Sequence, residues 1–199
     1  MLFRRYIERW WGMIYLASTS PRRKMLLRKA GITFRILKPD YEEDDGLKAP
    51  PSQVVQIHAV KKAESCMGGV RNGMILAADT IVYHKGEVIG KPRNMKTARL
   101  MLGKLQGKWH SVYTGVAILK MVSGRAVKKT VFFEKTKVHL RRLTPKGIEH
   151  YFKRVNPLDK AGAYAIQSPR GGIVQEVRGL FSNAVGLPVE KVLRKRPHL

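Results

Sequence analysis

The chain has 199 residues, 44% of them hydrophobic and 27% charged, which suits one sizeable domain with a buried core and excludes general disorder. No apolar run reaches the roughly 18 residues that a membrane span takes, and the single cysteine, Cys66, excludes an internal disulfide and a Cys-rich zinc cluster, so a reducing, cytoplasmic setting is expected. Lys and Arg total 39 against 14 Asp and Glu, a formal charge of +25, which favours nucleic acid, phosphorylated small molecules or an anionic surface as partner without choosing among them.

Residues 1–12 (MLFRRYIERWWG) space their apolar side chains as one face of a helix. They predict an amphipathic extension that packs on the body or a neighbouring subunit, or lies on a membrane surface. Met13 is an alternative start, because it opens the first convincing strand, and 13–199 reads as one domain. After that strand (13–17), Ser20 suits an N-cap, Pro21 a first helical position and Gly31 a helix stop. A second strand is expected over 33–37, then an acidic loop, then the Pro50-Pro51 break and a helix capped by Ser52 that runs to about Cys66.

Residues 74–84 predict a buried strand interrupted at Asp79-Thr80, with Lys85-Gly86 turning into 87–89. Asn94 caps a helix to about Leu105. Strands over 112–120 and 127–140 flank Ser123-Gly124, Thr144-Pro145 opens a helix to about Val155, and a last helix starts at Pro188. Alternating strands and helices with adjacent hairpins predict an α/β domain with a mixed sheet.

Two stretches carry chemistry. In Leu16-Ala17-Ser18-Thr19-Ser20-Pro21-Arg22-Arg23 a helix N-terminus offers free N–H groups, with hydroxyls and forked guanidinium groups beside it. Cations there oppose the helix dipole, so a phosphate explains them better than stability does; a capped helix with solvated arginines is the alternative. In Ile75-Leu76-Ala77-Ala78-Asp79-Thr80-Ile81-Val82 a carboxylate among small and β-branched residues must meet a cation or strong donors to offset its desolvation. That suits a Mg²⁺ ligand or a water-activating base; an Asp capping a turn is the alternative. The acidic run Asp40, Glu42, Glu43, Asp44, Asp45 can supply a second carboxylate, with Glu42 and Glu43 the candidates. Lys62 and Lys91 are undistinguished on their own in so basic a chain, and His58, His110 and Cys66 lack the spacing of a ligand or nucleophile set. No GxxxxGK[ST] P-loop is present.

Taken together, Leu16–Arg23, Lys62-Ala63, Ala78-Asp79-Thr80, Gly90-Lys91-Pro92, His110–Val116, Asp159–Gln167 and Asn183–Pro188 resemble the Maf family of nucleoside triphosphate pyrophosphatases, in the family's order and from about Met13 to Val192. The resemblance implies an elongated, two-lobed mixed α/β fold of the inosine triphosphatase-like kind with a central cleft. It implies hydrolysis of a nucleoside triphosphate to the monophosphate and pyrophosphate with Mg²⁺ or Mn²⁺, and a homodimer. By motif position Ser18, Arg22, Arg23, Lys62 and Lys91 would hold phosphates, with Lys62 and Lys91 joining Asp79 as the catalytic set. Asp79 would bind metal or prepare the water, and Glu43, by its spacing from Phe34, matches the second metal-binding acid, with Glu42 the alternative. Thr80 would bind substrate and Gln167 would contact the base. The Asp159–Gln167 block resembles the branch acting on dTTP and UTP; 7-methyl-GTP, a broader nucleotide range, or nucleic-acid binding on this fold are the alternatives. Ala77, Ala165 and Ser168 stand where that branch commonly has glycine.

Overall fold

The computed structural model describes residues 12–44, 46–167 and 172–195. Residues 1–11 of the expected amphipathic extension, and Ser168, therefore lie outside the described residues. In chain order the elements are β1 (Ile14–Ala17), α1 (Pro21–Lys29), β2 (Phe34–Leu37), α2 (Pro51–Glu64), β3 (Gly73–His84), β4 (Glu87–Ile89), α3 (Met95–Leu105), β5 (Trp109–Val122), β6 (Arg125–Leu140), α4 (Pro145–Phe152), β7 (Val174–Arg178), α5 (Phe181–Val185) and α6 (Val189–Arg194). Single 3₁₀ turns lie at Met67–Gly69 and Ala161–Ala163.

The sheet has seven strands in the order β2-β1-β3-β5-β6-β7, with β4 also paired to β3. β1 runs parallel to β2 and β3, and the remaining pairs are antiparallel. The sheet is thus mixed, as the adjacent hairpins predicted. The β3–β4 and β5–β6 turns place Lys85 and Ser123 at positive φ, each followed by a glycine that accepts the same backbone at no steric cost.

Several expected details differ. β3 is continuous, so Asp79-Thr80 lies mid-strand and not at a break: Asp79 pairs with Gly115 and Thr80 with Thr114. Cross-strand pairing with β5 outweighs the poor strand propensity of Asp. α2 begins at Pro51 after Pro50, and Ser52 makes no cap; proline already suits the first helical position, whose N–H has no helical partner. Ser20 precedes α1 without a side-chain cap bond. Asn94 and Thr144 do cap, accepting from Thr97 N and Gly147 N. α4 stops at Phe152, short of Val155.

Register sorts the sheet's two faces. On one, Leu16, Leu76, Ala78, Val116 and Ile118 pack with α1, α5 and α6, while Val82, Val112, Val138 and Leu140 pack with α3 and α4. Between these two apolar clusters runs a polar seam. The Thr114 hydroxyl donates to Asn183 O (3.0 Å), Asn183 Nδ2 donates to Thr136 Oγ1 (2.9 Å), and Thr136 Oγ1 donates to Leu180 O (2.8 Å). On the opposite face α2, with Cys66, Met67 and Val70 beyond its end, packs on Ala17, Ile75, Ala77, Ala117 and Leu119. The approach there is close because residue 115 is glycine: a Cβ on it would lie 2.2 Å from Val55 O.

Candidate active site

The site follows from where strands end. β1 pairs with β3 only as far as Leu16 opposite Leu76, and β4 joins the same edge only from Ile89 opposite Val82. Over Ala77–Ile81, β3 is partnered by β5 on one side and faces no described strand on the other. A cleft of about 680 Å³ opens at this notch, lined by residues from both apolar clusters. It gathers Ser18, Arg22, Arg23, Glu43, Lys62, Asp79, Thr80, Lys91 and Gln167. Every residue of the set that the resemblance implied, apart from the alternative Glu42, therefore lines one cavity. Glu42 does not, which separates it from Glu43.

Asp79 is 3% exposed, and the desolvation expected of it is met by a buried cation. Lys62 Nζ donates to Asp79 Oδ1 at 2.6 Å and to Glu43 Oε1 at 2.5 Å. Lys62 reaches this point because Ala59 and Ala63, its neighbours on α2, are small and fully buried against β3 and β5. The acidic loop is pinned by Tyr41, whose hydroxyl meets His58 Nδ1 on α2 at 2.8 Å. That anchor brings Glu43 to Lys62 and occupies His58. Burial pushes the Glu43 carboxyl up, but Lys62, with Lys91 and Arg23 behind it, outweighs burial and holds it below the usual carboxylate value.

On the other side of the notch Arg23 is clamped. Its Nε donates to Gly186 O (2.9 Å), Nη1 to Ser18 Oγ (3.2 Å) and Nη2 to Thr80 Oγ1 (3.3 Å). Burial lowers its pKa, against the pull of Asp79 and Glu43. Thr80 and Ser18 thus orient Arg23 as well as lining the cleft, and Ser18 Oγ also accepts from Ser20 N at 3.2 Å. Arg22 reaches across the opening to Asp159, with Nη1 to Oδ2 at 3.3 Å and Nη2 to the carbonyl at 3.2 Å. Asp159 and Lys160, in contact with each other at 2.6 Å, line the cleft with Lys38 and Tyr41. Sequence reasoning gave these four no role; the only signal was that Asp159-Lys160 opens the Asp159–Gln167 block. His110, in contrast, is spent on structure: Nε2 lies 2.7 Å from the Tyr164 hydroxyl.

A model of the family described as Maf-like protein matches residues 13–195. The chain belongs to the Maf-like family. Among its Maf-like relatives, the dTTP/UTP pyrophosphatase of Bacillus anthracis is 42% identical over 183 residues, covering 92% of this chain and 93% of the relative. That of Dictyoglomus thermophilum is 39% identical over 180 residues, with 90% and 92% covered. A solved HAM1 protein from Coxiella burnetii, 16% identical, superposes with a TM-score of 0.50 over 94% of this chain and 99% of that one, which shows a shared fold.

The Maf-like cleft fits a hard divalent cation. Asp79 Oδ2 is buried and has no hydrogen-bond partner, an arrangement that costs energy unless a ligand completes it. Glu43 supplies a second carboxylate beside it. Among the described residues no group of three His, Cys, Asp or Glu side chains gathers. The protein therefore offers a sparse oxygen set of the kind that Mg²⁺ completes with water and substrate phosphates.

Proposed function

We propose that the chain is a nucleoside triphosphate pyrophosphatase that hydrolyses dTTP and UTP to the monophosphate and pyrophosphate with Mg²⁺ or Mn²⁺. The observation that carries this reading is the buried Asp79, with one oxygen on Lys62 and the other free, in a cleft that also collects Arg22, Arg23 and Lys91. Phosphoanhydride hydrolysis needs that pairing, because the same site must activate water and neutralise a triphosphate. The pyrimidine preference is supported by the printed names of the two relatives.

The steps assign work to each side chain. Arg22, Lys91 and the N-terminus of α1 bind the polyphosphate, with Arg22 exchanging Asp159 for substrate oxygens. Arg23, held by Ser18, Thr80 and Gly186, presents a charge that cannot swing away. The Asp79 carboxylate takes a proton from the water that attacks the α-phosphorus; the bond to the bridging oxygen breaks, and pyrophosphate leaves with its charge facing Lys91. Lys62 fixes the Asp79 and Glu43 carboxylates at one separation. Asp79 and Glu43 would hold a divalent ion, which would supply charge neutralisation and a more acidic water. Gln167, whose amide offers both a donor and an acceptor, pairs with a pyrimidine edge. The reading includes a homodimer, implied by the resemblance. It also includes a cytoplasmic setting, which suits a nucleotide substrate and the buried free thiol of Cys66.

A panel of nucleoside triphosphates with pyrophosphate detection tests the proposal. Fastest turnover of dTTP and UTP is expected. Preference for 7-methyl-GTP overturns the base assignment, and absence of pyrophosphate from every nucleotide overturns the reaction.

A further inference from the structure

The sheet's two faces are unequally covered. The face bearing Thr80 and Thr114 is packed along its length by α1, α3, α4, α5 and α6. The other is covered by α2, whose N-terminal turn packs on Ile81 and Tyr113 together with Leu47 and Ala49 of the preceding loop and with Tyr83. Beyond that point no described helix lies on it, although β3, β5, β6 and β7 all continue. This open half carries aromatic and basic side chains together.

A row of rings crosses three strands there. Tyr83 meets Tyr113 edge-on at 6.1 Å, and Tyr113 meets Phe133 at 6.3 Å. Phe133 is 39% exposed, an unusual state for phenylalanine in the middle of a strand. Lys135 lies over the Tyr113 ring at 5.3 Å, and Arg178 lies over Trp109 at 4.5 Å. Lys137, exposed, sits between them in register, opposite Ser111 on one side and Arg178 on the other. The acid of this patch, Glu176, is held by Arg178 at 2.7 Å.

The geometry points to single-stranded nucleic acid as the occupant of this open sheet face, with bases stacking on Phe133 and Tyr83 and phosphates meeting Lys135, Lys137 and Arg178. Flat strands that present rings with cations interleaved match a polyanion whose bases have exposed π faces. A duplex hides those faces. A second copy of the chain is disfavoured by charge: a two-fold interface sets a patch against itself, so Lys135, Lys137 and Arg178 would meet their own counterparts in a chain of formal charge +25. None of these residues lines the cleft, so the inference stands apart from the proposed hydrolysis.

Anisotropy of a labelled mixed-sequence single strand of roughly 20 nucleotides, titrated with the full chain at several salt concentrations, tests it. The K135E/K137E pair should weaken binding at least about tenfold and flatten the salt dependence, because fewer counterions are released. F133A should weaken it by at least about fivefold and leave the salt dependence unchanged, because stacking releases no ions. The same charge reversal at the two ends of α4, K146E/K153E, should change binding less than about twofold, and all variants should keep wild-type nucleotide turnover. Equal loss in the α4 pair overturns the inference, since any cation would then serve. So does equal affinity for a matched duplex, no binding of the strand at low salt, binding to anionic vesicles in its place, or a dimer that F133E splits.

Discussion

Lys62 is the residue on which the candidate site turns, and its environment makes testable demands. A buried ammonium shared by two carboxylates leaves an uncompensated charge if it is removed. Lys62→Met should lower stability by about 3–5 kcal/mol, measured by urea unfolding. Added Mg²⁺ should restore more of that loss than it adds to the wild type, because the ion neutralises the same two acids. An equal Mg²⁺ effect in both proteins would remove the carboxylates from metal binding. Asp79→Asn keeps the shape and a hydrogen-bond acceptor for Lys62, so thermal unfolding should stay near wild type while pyrophosphate release drops at least about a hundredfold. Retained turnover in that variant would sink the role given to Asp79. Here the sequence was half legible. Asp79 announced itself as a carboxylate among apolar residues, but Lys62 looked like any other lysine, because its partners lie on a strand and a loop that only folding brings to α2.

At the scale of elements, the approach of α2 to β5 governs whether Lys62 arrives. Gly115 opposite Asp79 in the sheet leaves no room for a methyl, with Val55 O at 2.2 Å and Gln56 N at 2.6 Å from its Cβ position. Gly115→Ala should cost about 1–3 kcal/mol by forcing the helix outward and should lower turnover together with stability. Unchanged turnover would mean that the helix position does not set the site. Strands and helices were readable in order and type because their apolar patterns are local and their turns carry Gly, Asn or Pro. The errors were of two kinds. Proline at the start of α2 displaced Ser52 from its expected cap, a local contest of preferences. The continuity of β3 through Asp79 was invisible, because cross-strand pairing, absent from the sequence, overrides the residue's own preference.

Across the whole molecule, two apolar clusters are joined by a seam of buried hydroxyl and amide groups, and a buried imidazole lies against one of them. His110, in contact with Tyr164, has its pKa lowered by burial from 6.5 to about 4. Between those values the unfolded chain takes up a proton that the native chain does not. Stability is therefore full above about pH 6.5 and falls as the pH drops towards 4, by about 3 kcal/mol from this group. In His110→Gln, which cannot titrate, the loss of stability from pH 7 to 4 should shrink by about that amount in denaturant titrations. An unchanged slope would mean that His110 is already solvated in the native protein.

The missing neighbour along Ala77–Ile81 has one more consequence. Bare strand edges invite stray chains to add themselves, which is how many sheet proteins come to aggregate. Here the bare stretch is bracketed by β1 and β4 on the same edge, so an invading strand has no length along which to dock. The notch thus keeps a reactive groove open to a small, charged guest while staying closed to an added strand.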